Sequence, residues 1–236
     1  MTLFSFIVNI TFIYVSFYLS YKAFEVYIGE EWNREENLYW GMSFVFVGAG
    51  FVIYLVHDLF HIETISKVAF LVHNSDMIAW SFQALALLKI LRYANKKENL
   101  FLIKHFKCIR VLFLSGFALY IFLIPIFANQ VAFYSHVPSL QIIGVEKLDI
   151  LYELWNIALG TLILSVLYTL WELGVNTYSL FIGYLLIVVS EGVQVLHIII
   201  SHNQYNNPTL WLIEWWLALV GIVYVYLGVY NTIKNS

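Results

Sequence analysis

Apolar residues along this chain gather into long runs separated by short polar or charged clusters. Seven runs stand out, near residues 3–24, 38–60, 68–91, 109–134, 148–171, 177–201 and 209–231. Each is close to the roughly 20 residues that an α-helix needs to cross a hydrocarbon core. The third is the most interrupted, because Lys67, His73 and Asp76 fall at or near its start. The first has no basic leader and no small-residue cleavage site, so it reads as a membrane span and not as a cleaved signal peptide. The pattern predicts an all-α polytopic membrane protein, a bundle of seven transmembrane helices forming a single domain over residues 1–236.

Composition agrees with the pattern. Hydrophobic residues make up 61% of the chain and charged residues 11%, with a mean hydropathy of +0.79. A soluble domain carries about 25% charge, enough to cover its surface; this chain does not. Disorder demands the opposite balance, low hydrophobicity and high charge. A net charge of −3 gives no footprint for nucleic acid. One cysteine, Cys108, leaves no internal disulfide framework, no cysteine-built zinc site and no c-type haem attachment.

Basic residues predict an orientation. Arg92, Lys96, Lys97, Lys104, Lys107 and Arg110 crowd the segment between the third and fourth runs, and Lys22, Arg34, Lys89 and Lys234 share its side. Of the 12 lysines and arginines, only Lys67 and Lys147 fall opposite. The positive-inside rule then sets the N-terminus outside and the C-terminus in the cytoplasm of a plasma or cytoplasmic membrane. The basic 92–110 loop becomes a candidate contact for a cytoplasmic or membrane partner protein or for anionic lipid. Trp40, Trp211, Trp215, Trp216, Tyr226 and Tyr230 suit interfacial belts. Gly48, Gly50, Gly160 and Gly183 suit close helix contacts, and Pro125 suits a kink in the fourth span.

Under this topology six of the seven histidines lie in the outer half; only His105 is cytoplasmic. His57 and His61 are four apart, so one helix face carries both and they can ligate one ion together. Asp58 lies three before His61. His73, Asp76, Trp80 and Gln83 step by three, four and three, forming a polar stripe down the third span. Asp149, Glu153 and Asn156 form another in the fifth, Glu191 lies mid-way in the sixth, and Glu214 enters the seventh. An ionisable group in a membrane costs several kcal/mol unless paired, ligated or wet, so each is a site candidate by default.

The stripes predict one outer polar cavity. His57, His61, His73, Asp76, His197 and His202 are its candidate metal ligands, with Asp58, Glu153, Asn156, Glu191 and Glu214 behind them or handling protons. Imidazole with carboxylate suits copper, zinc or iron. The layout of His57, His61, His73 and Asp76 resembles, over fewer than twenty residues, the copper site in the C subunit of membrane methane and ammonia monooxygenases. The spacing here is one residue short. Seven-span zinc hydrolases of the ceramidase and adiponectin-receptor type carry a histidine pair on their last span, and the last run here has none. Two further readings stay open. One is a bis-histidine b-type haem protein, with His57 and His197, or His61 and His202, at similar depths. The other is a cofactor-free sensor, transporter or assembly subunit whose outer cavity accepts a proton or ligand. No phosphate loop, nucleophile elbow or HExxH pattern occurs, and no lysine lies within the seventh run for a retinal-type Schiff base.

Overall fold

The computed structural model describes residues 3–29, 35–60, 65–94, 145–201 and 208–235, together with Cys108, Val111 and Ser115. Among the described residues there are six α-helices and no strand: α1 (Leu3–Gly29), α2 (Glu35–Phe60), α3 (Ile65–Ala94), α4 (Val145–Glu172), α5 (Tyr178–Ser201) and α6 (Pro208–Asn235). Four stretches among the described residues are long and apolar enough to cross a membrane: Phe6–Gly29, Glu35–Ile53, Tyr178–Leu196 and Leu212–Ile233. The fourth apolar run apart from Val111 and Ser115, together with Pro125 and His136, lies outside the described residues, as does the basic loop beyond Ala94 apart from Cys108. The chain divides into two compact units, Met1–Lys89 with Lys97–Ile142, and Ile90–Lys96 with Ile143–Ser236.

Both units carry apolar stripes on the outside and bury a few polar side chains among an otherwise apolar interior. Ile7, Ile10, Tyr14, Phe17 and Tyr21 form an exposed stripe on α1 at alternating steps of three and four. The opposite face of the same helix buries Asn9, Ser16 and Ser20. On α6 the exposed stripe is Ile213, Trp216, Val220, Val223, Leu227 and Tyr230. On α5 it is Tyr178, Leu185, Val189 and Leu196. Water would not tolerate contiguous apolar faces of this length on a monomer. Lipid would, and it would also drive the small and polar residues into helix–helix seams, where backbones approach closely and hydroxyls find partners.

In the first unit α1 and α2 run antiparallel. Ser20 Oγ donates to the Gly41 carbonyl at 2.9 Å, the Phe12 and Phe51 rings stack at 5.2 Å, and Gly48 lies against the Phe17 ring. Helix α3 returns along α2. Gln83 Nε2 donates to Ser43 Oγ at 2.8 Å, and Lys89 Nζ pairs with Glu35 Oε2 at 2.9 Å. Residues Phe82 to Lys89 are buried without interruption, so α3 is covered around its whole circumference over those two turns. The helix with the polar stripe is thus an internal one. Gln83→Leu should lower thermal stability by about 0.5–1.5 kcal/mol, the worth of one interhelical hydrogen bond in a membrane bundle. Ser43→Ala in the Gln83→Leu background should then add almost nothing; full additivity would contradict the pairing. Glu35→Gln should cost more, about 1–3 kcal/mol, because it weakens the compensation of a buried ammonium.

In the second unit a short turn joins α4 to α5. Gly174, at φ +83°, ends α4 in the left-handed conformation, with Gly174 N–H donating to the Trp171 carbonyl at 2.9 Å and Val175 N–H to the Leu170 carbonyl at 3.0 Å. This pair of bonds is a Schellman cap, and glycine is there because a Cβ is strained at that φ. Thr177 starts α5 by accepting from Phe181 N–H, and its hydroxyl donates back to the Leu167 carbonyl. The exposed Tyr168, Trp171 and Tyr178 gather around this turn, where an aromatic belt would lie. Gly174→Ala should cost about 1–2 kcal/mol in a thermal melt.

Helices α5 and α6 pack backbone to backbone. A Cβ on Gly183 would lie 2.7 Å from Val225 N and 2.8 Å from the Gly221 carbonyl, and one on Gly228 would lie 2.6 Å from Leu180 Cγ. Gly183 therefore makes the close contact its sequence position predicts, with Gly221 and Gly228 as partners that the sequence did not single out. Two interfacial assignments need correction. Trp40 is fully buried and Tyr226 is nearly so, since neighbouring structure covers the faces that carry them.

Candidate functional site

The polar groups of α4, α5 and α6 meet in the second unit. Asn156 on α4 is buried, and its Nδ2 points at Glu191 Oε2 on α5, 3.5 Å away. Ser190, the neighbour of Glu191, donates through Oγ to the main-chain carbonyl of Glu214 on α6 at 2.9 Å. That bond holds the first turns of α6 beside the middle of α5. Glu191 is close enough to act electrostatically on the Glu214 carboxylate, and both side chains are half-buried. Asn156 Oδ1 is buried and has no hydrogen-bond partner among the described residues. The arrangement is thus two carboxylates and an asparagine amide, supported by a serine, on three helices.

Its electrostatics follow from what the sequence leaves out. From residue 148 to residue 233 the chain has no lysine or arginine. The helices that carry Glu191 and Glu214 therefore supply no fixed positive charge at that level. Two like charges in a poorly hydrated interior raise each other's energy unless a proton or a cation compensates them.

In the first unit the described part of the predicted site is Asp76. It is half-buried on α3, and a Cβ on Gly50 would lie 3.6 Å from Asp76 Oδ1 and 2.5 Å from Ser75 Oγ. Gly50 thus lets α3 approach α2 with Ser75 and Asp76 in the seam. Below it, Trp80 and Gln83 are buried, and Gln83 serves the hydrogen bond to Ser43.

The predicted ligands and the residues expected behind them divide between the units. His57, Asp58, His61, His73 and Asp76 belong to the first; Glu153, Asn156, Glu191, His197, His202 and Glu214 belong to the second. His61 and His202 lie outside the described residues, and so do the side chains of His57, Asp58, His73, Glu153 and His197. Among the described residues no group of three or more histidine, cysteine, aspartate or glutamate side chains is arranged to hold a metal ion. What the structure does bring together is Asn156, Glu191 and Glu214, three of the five residues expected behind the ligands. Ser190 was missed. Its only signal in the sequence is a small hydroxyl residue directly before a mid-span glutamate.

Comparison with protein-family models, with curated proteins and with solved structures finds no match, so the functional reading rests on these residues alone.

Proposed function

We propose that this is an integral membrane protein of seven spans, N-terminus outside, that works as a sensor or transporter through a positively charged species held at the α4–α6 polar site. The observation that carries the reading is that Asn156, Glu191 and Glu214, from three different helices, come together in one unit. A proton or a bound cation at such a site couples its occupancy to helix packing. Ser190 ties α5 to the α6 backbone at the same level, so a change in charge there is felt as a change in the seam.

Infrared difference spectroscopy of the protein in lipid nanodiscs tests this reading. Changing pH or cation concentration should alter carboxyl or carboxylate bands that disappear in Glu191→Gln and Glu214→Gln. If neither substitution removes a band, both glutamates are ordinary hydrated carboxylates and the reading fails.

A transition-metal centre on His57, His61, His73 and Asp76 is the second reading. The register of α2 against α3 favours it. Glu35 with Lys89, Ser43 with Gln83 and Gly50 with Ser75 align the helices antiparallel, which brings the His57 end of α2 and the start of α3 to the same end of the unit. Purified protein should then carry near-stoichiometric copper, zinc or iron, lowered by His61→Ala with His73→Ala. Background metal content would remove this second reading and leave the first untouched.

A further inference from the structure

We propose that the end of α4 holds the quaternary ammonium headgroup of a phosphatidylcholine-type lipid against the Tyr168 and Trp171 rings and the Glu172 carboxylate. Of the functional reading above, this rests only on α4 and α5 crossing a bilayer. Trp171 and Glu172 follow Tyr168 by three and four residues, so one face of the last turns of α4 carries all three. The two rings stand at 73° with centroids 6.1 Å apart, which makes a corner of aromatic walls. They are 48% and 65% exposed, so a ligand can reach them. The Tyr168 hydroxyl donates to the Glu172 carboxylate, which holds the acid beside the corner without offsetting its charge.

Charge selects a cation for this corner. Ring faces attract positive charge, most of all a quaternary ammonium. Glu172 adds a full negative charge, and α4 ends here, so its dipole turns its negative end to the same place. No lysine or arginine occurs between residues 148 and 233 to occupy the corner from that stretch. A quaternary ammonium has no N–H to satisfy, so two rings and one carboxylate meet its needs. A primary ammonium brings three donors that the rings cannot accept. Position then names the source. The apolar stretch of α4 ends at Glu172 and that of α5 begins at Tyr178. The corner therefore lies where two apolar segments leave the hydrocarbon together, which is the level of lipid headgroups.

The test offers the full-length protein, in detergent, equal amounts of phosphatidylcholine, phosphatidylethanolamine and phosphatidylglycerol with identical chains, and counts the retained lipids by native mass spectrometry. Phosphatidylcholine should be retained over phosphatidylethanolamine by at least about threefold, the scale of an exposed cation–π contact. Trp171→Ala and Glu172→Gln should each remove most of that preference, whereas Trp171→Phe, which keeps a ring, should keep part of it. Trp216→Ala on α6 removes another exposed tryptophan and should leave the preference unchanged. Equal retention of the three lipids, or the same loss of preference in Trp216→Ala, would reduce the corner to an ordinary interfacial belt and overturn the proposal. Displacement of the lipid by choline chloride at equal concentration would make the ligand the free cation and overturn the lipid assignment. Neither result touches the membrane reading. That reading fails if the protein stays soluble without detergent or lipid, and the proposal then fails with it.

Discussion

Gly183→Leu is expected to abolish the folded α4–α6 unit, whereas Gly192→Ala on the same helix should be nearly silent. The two glycines differ only in what faces them. A Cβ on Gly183 meets the Val225 nitrogen at 2.7 Å and the Gly221 carbonyl at 2.8 Å, so main chain stands in its way; a Cβ on Gly192 meets nothing within 4 Å. Backbone cannot rotate aside as a side chain can. Even Gly183→Ala should cost about 1–3 kcal/mol, the usual penalty for overpacking. A leucine would force α5 and α6 apart by more than the seam can absorb. The loss reaches the site as well, because the Ser190 bond to the Glu214 carbonyl spans that seam. Size-exclusion profiles and thermal melts of the three variants check this. Equal stability of Gly183→Ala and Gly192→Ala would show that the helices do not approach as closely as the structure has them.

The second large effect is a gain in stability from removing the acids. Glu191→Gln with Glu214→Gln should be more stable than the parent in a thermal melt by about 1–3 kcal/mol, because removing half-buried like charges relieves their desolvation and mutual repulsion. If the double variant is less stable than the parent, the glutamates are structural and their mutual repulsion is outweighed by the contacts they make.

Much of the architecture was legible because long apolar runs leave the chain few options. Every run that falls on described residues is a helix, the form in which a segment fit to cross a membrane satisfies its backbone internally. The ends were less legible. α1 continues to Gly29, beyond the run that stops near residue 24, because Glu25, paired with Lys22 at 2.6 Å on the exposed surface, is followed by the apolar Val26, Tyr27 and Ile28. One charged residue interrupts an apolar pattern without ending the helix. The meeting of Asn156 with Glu191 followed from the stripes of their helices. Glu214 was expected in the same cavity, but the closeness of its approach was not legible, because it depends on how α5 and α6 pack, which Gly183, Gly221 and Gly228 set jointly. Trp40 and Tyr226 show the same limit. Residue type gives a preference for the interface, but only the neighbouring structure determines whether a face is covered.

The central claim is that the Asn156–Glu191–Glu214 site lies at membrane depth, enclosed by helices whose outer faces meet lipid. A nitroxide at Val189 tests it most directly, since this residue is exposed on α5 and immediately precedes Ser190 and Glu191. The label would be introduced with exposed Cys108 replaced by serine, and the protein reconstituted in vesicles. Collision with oxygen, which concentrates in the bilayer, should far exceed collision with a water-soluble nickel chelate. Stronger relaxation by the chelate would put this face of α5 in water and contradict the account.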